Sequence, residues 1–218
     1  MFLLLAGLAG AFAVELVADW LGVTDGLPTT HTSSVAQDPD DQLVWIGGPG
    51  WVARYDGERV RSWETPQGPA VTVDQVVPLA GDEVLARLSD GAVLRVQEEG
   101  LVELLGPDGV PLRSPHIAPD HGGALLAVHS GGAWRWDGRW ERLHGPVDGE
   151  GVTRVEEGPS GSLVLGTASG WFLARGGEVR LLVATPRPVQ AVVDGEALWL
   201  TAAPSIQVWL SRTTGCRS

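Results

Sequence analysis

The chain has 218 residues, among them 30 Gly, 15 Pro and 10 Trp, and its 27 Asp and Glu outweigh 15 Lys and Arg for a formal net charge of −12. That balance argues against a nucleic-acid partner, since binding phosphates needs a concentrated positive patch. The single cysteine, Cys216, excludes an intramolecular disulfide and a zinc site built from thiolates.

At this length one domain is the simpler arrangement, because all-β folds often run past about 200 residues as single units. Gly and Pro suit tight turns, while Val, Leu and Trp suit half-buried strands, so many short strands and no long helices are expected. The first 13 residues, MFLLLAGLAGAFA, form an apolar run ending in Ala11-Phe12-Ala13, a small-x-small cleavage pattern without a positive n-region. Residues 1–13 therefore read as an export signal or as an N-terminal strand, and 14–218 as a single domain. Glu15 and Asp19 interrupt the run before the roughly 20 apolar residues of a membrane helix, so no stable transmembrane span is expected.

A repeat follows. Its clearest copy begins at Ser34 with Val35-Ala36, an acidic turn Asp38 to Asp41, a strand Leu43 to Ile46, a turn Gly47 to Gly50, a strand Trp51 to Tyr55, the turn Asp56-Gly57-Glu58 and a strand Arg59 to Trp63. The same order recurs three times, with the turn glycines Gly50, Gly91, Gly132 and Gly170 spaced 41, 41 and 38 residues apart. A fifth copy lacks its last strand. Four antiparallel strands in about 40 residues is the spacing of a propeller blade, whose faces must pack on neighbouring blades. The sequence thus predicts an all-β propeller of about five four-stranded blades, at 33–65, 73–105, 114–143, 152–183 and 188–210. An N-terminal strand at 16–21 is expected to complete the last blade and close the ring.

The first copy resembles a known family. Thr24-Asp25-Gly26-Leu27-Pro28, Leu43-Val44-Trp45-Ile46-Gly47 and Ala53-Arg54-Tyr55-Asp56-Gly57 look like the repeat of two-component-regulator propellers, and Trp134-Arg135-Trp136-Asp137-Gly138 echoes its hairpin. The resemblance covers roughly residues 20–210 and is strong only in the first copy. It implies a periplasmic or secreted sensor module. Members usually form larger propellers ahead of a membrane helix and a kinase or cyclase, so a chain with room for about five repeats is expected to be either a minimal free-standing relative or a fragment of a longer sensor.

Candidate site residues come from position in the repeat. The residue before each innermost strand's apolar core is polar: Ser34, Gln75, His116, Arg154 and Gln190. If the blades are radially equivalent, these five approach the axis at one level and form a ring that a ligand could meet. Trp51 and Trp171 each follow the turn between the second and third strands and are expected to lean over one rim. The other strand tryptophans, Trp45, Trp63, Trp134, Trp136, Trp140, Trp199 and Trp209, are expected in packing between blades. Six Asp-Gly pairs, at Asp56, Asp90, Asp108, Asp137, Asp148 and Asp194, read as turns and not as catalytic acids. The acidic turn Asp38 to Asp41 lacks the glycine and distal glutamate of a calcium loop, and His116, His121 and His129 are spread over different elements with no obvious carboxylate beside them. No metal site and no cofactor is expected.

The function this pattern supports is a non-catalytic, monomeric binding or sensing module that recognises a small ligand, such as a carbohydrate, or a protein. A five-bladed glycoside hydrolase or lyase would need two carboxylates converging near the axis, and no hydrolase or phosphate-loop motif appears. A protein-docking scaffold is the third alternative.

Overall fold

The computed structural model describes residues 21–38, 41 and 43–184, together with the backbone of 190–194, 197–202 and 205–210. The expectations for residues 1–13, for most of the closing strand 16–21 and for Cys216 lie outside them. Apart from three 3-10 turns, every described element is a strand.

The strands form five antiparallel sheets, each a simple meander in chain order. Sheet 1 holds β1 (Ser34–Gln37), β2 (Val44–Gly48), β3 (Trp51–Tyr55) and β4 (Val60–Glu64). Sheet 2 holds β5 (Val73–Pro78), β6 (Val84–Leu88), β7 (Val93–Gln97) and β8 (Gly100–Glu103). Sheet 3 runs through β9 (Ile117–Pro119), β10 (Leu125–His129), β11 (Gly132–Trp136) and β12 (Trp140–His144). Sheet 4 runs through β13 (Arg154–Glu157), β14 (Leu163–Gly166), β15 (Gly170–Arg175) and β16 (Glu178–Ala184). Sheet 5 has β17 (Gln190–Asp194), β18 (Ala197–Ala202) and β19 (Ser205–Leu210).

Successive sheets stack face to face, and the period-two alternation of each strand supplies both seams. In β10, Leu125 and Ala127 pack with Leu85 and Val93 of sheet 2, while Leu126 and Val128 pack with Val155 and Leu165 of sheet 4. In β6 the same division sends Val84, Ala86 and Leu88 to the seam with sheet 1, where Trp45 and Trp63 stack 5.7 Å apart. A sheet with two apolar faces cannot stand in water alone, so each is stabilised by its neighbours. The first strands β1, β5, β9, β13 and β17 meet in sequence along one edge of the stack, which is therefore its inner edge.

Sheet 1 differs at its other face. There Ile46, Ala53 and Trp51 are covered by Leu21 and Leu27 from the segment leading into the first strand. Val35, which follows Ser34 on β1, is 66% exposed, whereas its counterparts Val76, Ile117 and Val155 are 4%, 0% and 0% exposed. Those three pack on the sheet before their own.

Candidate functional site

The turns after the inner strands are built to a fixed shape. At the end of β9, Asp120 donates its N–H to Ala124 O at 2.8 Å, and its Oδ1 accepts from Ala124 N at 2.8 Å. Gly123 sits at φ +77° and its carbonyl accepts from Ala80 N at 2.9 Å. A Cβ on Gly123 would come within 2.5 Å of the Ala80 Cβ, so only glycine lets sheets 2 and 3 approach this closely.

This close approach frames a cavity of about 610 Å³ at the ends of the inner strands of sheets 1, 2 and 3. Gln37 of β1, Gln75 of β5, and Asp120 and His121 after β9 supply its polar groups, and Val76, Val77 and Leu79 much of its apolar wall. The size and the mixture of a few convergent polar groups on an apolar wall suit a small-molecule site. Behind His121 stands Glu157 of β13, which lines the neighbouring hollow: its Oε2 accepts from His121 N at 2.5 Å and lies 2.9 Å from His121 Nδ1. On the far side of Asp120 lies a second hollow of about 330 Å³ between sheets 3 and 4. Here Arg135 Nε donates to Asp120 Oδ2 at 2.6 Å and Nη1 to Asp137 Oδ2 at 2.6 Å. The Asp120 carboxylate, with Asp137 behind it, holds the Arg135 guanidinium above its usual value.

The five positions read from the sequence as a polar ring do fall at the starts of the inner strands, and the structure gives three of them a different role. Ser34 Oγ accepts from Val76 N at 2.9 Å, Gln75 Nε2 donates to Ile117 O at 2.6 Å, and His116 Nε2 lies 3.2 Å from Glu156 Oε1. Each bond crosses to the inner strand of the next sheet. The inner edges are close enough for these side chains to span a seam, so the residues tie sheets together instead of standing free around a mouth. Arg154 opens β13 opposite Gly166 and is also partnered, and Gln190 opens β17 opposite Thr201. Of the four whose side chains are described, Gln75 alone borders the larger cavity, and the Gln190 side chain lies outside the described residues.

Trp51 and Trp171 are not at the rim. They are 2% and 1% exposed, and each indole lies over the glycine opposite it, Gly48 and Gly166. A large ring at the start of a third strand is drawn inward wherever the facing residue has no side chain. The three histidines each face a separate acid: His116 with Glu156, His121 with Glu157, and His129 Nε2 at 3.3 Å from Asp108 Oδ2. Among the described residues no group of three His, Cys, Asp or Glu could hold a metal ion. Asp56 and Asp90 sit in turns as expected, Asp56 Oδ1 accepting from Glu58 N and Arg59 N and Asp90 Oδ1 from Ala92 N, while the turn expected at Asp194-Gly195 lies outside the described residues.

Sequence reasoning missed Gln37, Asp120 and His121 as cavity residues. The signal that could have found His121 is its distance of 36 positions from Glu157, close to one repeat, which places the two on neighbouring sheets.

No family model matches the chain, and no curated protein matches it. Solved structures do. A catalytically inactive virginiamycin B lyase from Staphylococcus aureus with quinupristin is similar at a TM-score of 0.60 and 14% identity, over 81% of this chain and 64% of that one. The extracellular domain of a putative hybrid two-component system from B. thetaiotaomicron is similar at 0.66 and 15% identity, over 89% of this chain and 30% of that one. A putative gluconolactonase is similar at 0.52 and 14% identity, over 85% and 77%. The chain thus spans less than two thirds of the length of the lyase and under a third of the sensor domain. At such identities the likeness establishes the fold, an array of four-stranded sheets of propeller type, and each neighbour's chemistry remains its own.

Proposed function

We propose that this chain is a binding and sensing module that holds a small, polar ligand in the 610 Å³ cavity at the inner strand ends. The observation that supports this most directly is the convergence of Gln37, Gln75, Asp120 and His121 from three sheets on one hollow with apolar walls. Gln75 is the one ring residue kept in the proposal as a ligand contact. The likeness to extracellular domains of two-component systems favours the sensor reading and a location outside the cytoplasm. Among the described residues no helix is long and apolar enough to cross a membrane. Ring closure through 16–21 belongs to the same proposal, supported by Leu21 packing on the face of sheet 1 that looks away from sheet 2. A thermal-shift screen of sugars and metabolites tests it: a ligand should raise the unfolding temperature, and His121→Ala should reduce that rise. If no compound moves the wild type and a pull-down instead recovers one protein, the scaffold alternative replaces it.

One observation favours a second reading. Glu157 fixes the Nδ1 side of His121 at 2.9 Å, and Nε2 has no partner among the described residues. A carboxylate-oriented imidazole at a cavity is an arrangement for general acid–base chemistry, and the structural neighbours include lyases. Incubation with quinupristin or a sugar lactone decides it. Turnover abolished by both His121→Ala and Glu157→Gln supports an enzyme, and no turnover by the wild type rejects one on these substrates.

A further inference from the structure

A third hollow, of about 430 Å³, lies between sheets 1 and 2, away from the inner edge. Its construction is clearest by comparison along the repeat. On the third strand of each of the first three sheets, an arginine stands opposite the second-strand residue that packs into the next seam: Arg54 opposite Trp45, Arg95 opposite Leu85, Arg135 opposite Leu126. Two of the three form ion pairs with carboxylates of their own sheet. Arg95 Nε lies 2.7 Å from Glu83 Oε1, and Arg135 meets Asp120 and Asp137, each at 2.6 Å.

Arg54 has no such pair. Its side chain makes no ion pair or hydrogen bond with the described residues. Its guanidinium carbon lies 6.0 Å from the centre of the Trp45 ring, and its charge is felt by Asp56, whose carboxylate is already held by two turn amides. The adjacent cation, Arg61, is engaged: it lies 4.9 Å from the Trp63 ring centre and bonds to the Glu98 carbonyl at 2.6 Å. Among the described residues, the hollow therefore has one planar fork with no donor engaged, beside two stacked indoles, one of which, Trp45, has a buried Nε1 that meets no partner there.

A guanidinium fork of this kind matches a carboxylate in two parallel hydrogen bonds. The surrounding charge limits what may carry that carboxylate. Asp41, Asp82 and Glu98 also line the hollow, so a polyanion such as a nucleotide is repelled, and a carboxylate that brings its own cation fits both signs. The volume falls in the range of sites for small molecules and is small for a peptide.

We propose that the hollow between sheets 1 and 2 is a site for a free α-amino acid, with its carboxylate on Arg54 and its ammonium toward Asp82 and Asp41. This site is separate from the cavity at the inner edge, and it stands or falls without it.

Calorimetric titration of the wild type with free amino acids, L-leucine first, tests the proposal. 4-Methylpentanoate, which lacks the amino group, and 3-methylbutylamine, which lacks the carboxylate, serve as its two halves. The expected result is measurable binding of the amino acid with both halves weaker by about tenfold or more. Arg54→Met, which keeps the stem over Trp45, should lose the binding, and Asp82→Asn should weaken it. His121→Ala should leave it unchanged, which separates this site from the cavity. Should Arg54→Met fold poorly, Arg54→Lys, which keeps the charge and loses the fork, must still weaken carboxylate binding. The proposal is overturned if no amino acid binds the wild type, if Arg54→Met binds as tightly as the wild type, or if 4-methylpentanoate binds as well as L-leucine.

Discussion

Gln75 Nε2 donates to the main-chain carbonyl of Ile117 at 2.6 Å, a bond from the inner strand of sheet 2 to that of sheet 3. Ile117 itself is fully buried in the same seam. Gln75→Leu removes the donor and leaves a part-buried carbonyl without its partner, which costs about 1–3 kcal/mol. Urea unfolding monitored by tryptophan fluorescence should show the loss. A midpoint equal to that of the wild type would mean that the tie contributes nothing to the seam.

Trp171 is 1% exposed and packs with Val164 and Leu182. Trp171→Ala is expected to cost roughly 3–5 kcal/mol, as removal of a buried aromatic usually does. Since the indole has no open face, any ligand found for the inner cavity should bind the folded variant with unchanged affinity. Lost affinity in a fully folded variant would return Trp171 to the binding surface.

Gly48 lies opposite Trp51, and a Cβ there would stand 2.2 Å from the indole Cζ2. Gly48→Ala must displace the ring, at a cost of roughly 1–3 kcal/mol for overpacking. Gly57, with no atom within 4 Å of its would-be Cβ, offers the contrast: Gly57→Ala meets no neighbour and costs only backbone strain at φ +96°. Thermal melts of the two variants should rank Gly48→Ala as the less stable.

Asp120 is 10% exposed and accepts from both Arg135 Nε and Ala124 N. Asp120→Ala breaks a largely buried, hydrogen-bonded pair and is expected to cost about 2–4 kcal/mol. The same change loosens the wall shared by the two hollows, so the binding of a cavity ligand should weaken as well. Retained binding and stability together would show that Asp137 alone suffices for Arg135.

The acid limb of stability should carry the turn aspartates. The Arg59 and Glu58 amides hold the Asp56 carboxyl below its usual 3.8. Burial pushes Asp90 up, but the Ala92 amide and the Arg113 guanidinium pull it down further, again below 3.8. A folded-state value lower than the unfolded one means stability that is present above about pH 4 and is lost as pH falls through the lowered value. Asp56→Asn and Asp90→Asn should therefore narrow the difference between urea midpoints measured at pH 7 and pH 3. An unchanged difference would count against both turns.

The sheet pattern could be read from the residues because its causes are local. The Asp-Gly turns, the alternation of Val and Leu, and the spacing of Gly50, Gly91 and Gly132 are each set by backbone geometry within one repeat. What crossed between repeats was harder. The polar positions Ser34, Gln75 and His116 can be aligned from the repeat alone, but their bonds to Val76, Ile117 and Glu156 depend on how closely inner edges approach. Trp51 and Trp171 were misplaced because a turn neighbour looks exposed until the bare glycine across the hairpin is considered. His121 gains its partner from Glu157 on the adjacent sheet, a distance in space that no motif spells out.

Val35 marks where the series of seams stops being uniform. Sheets 2 and 3 are gripped from both sides by buried side chains, so neither can loosen without breaking two interfaces at once, whereas the inner edge of sheet 1 gives way by losing one. Unzipping should accordingly start at β1 and travel along the stack, with backbone amides of that strand trading hydrogen for deuterium well before those of β5 and β9.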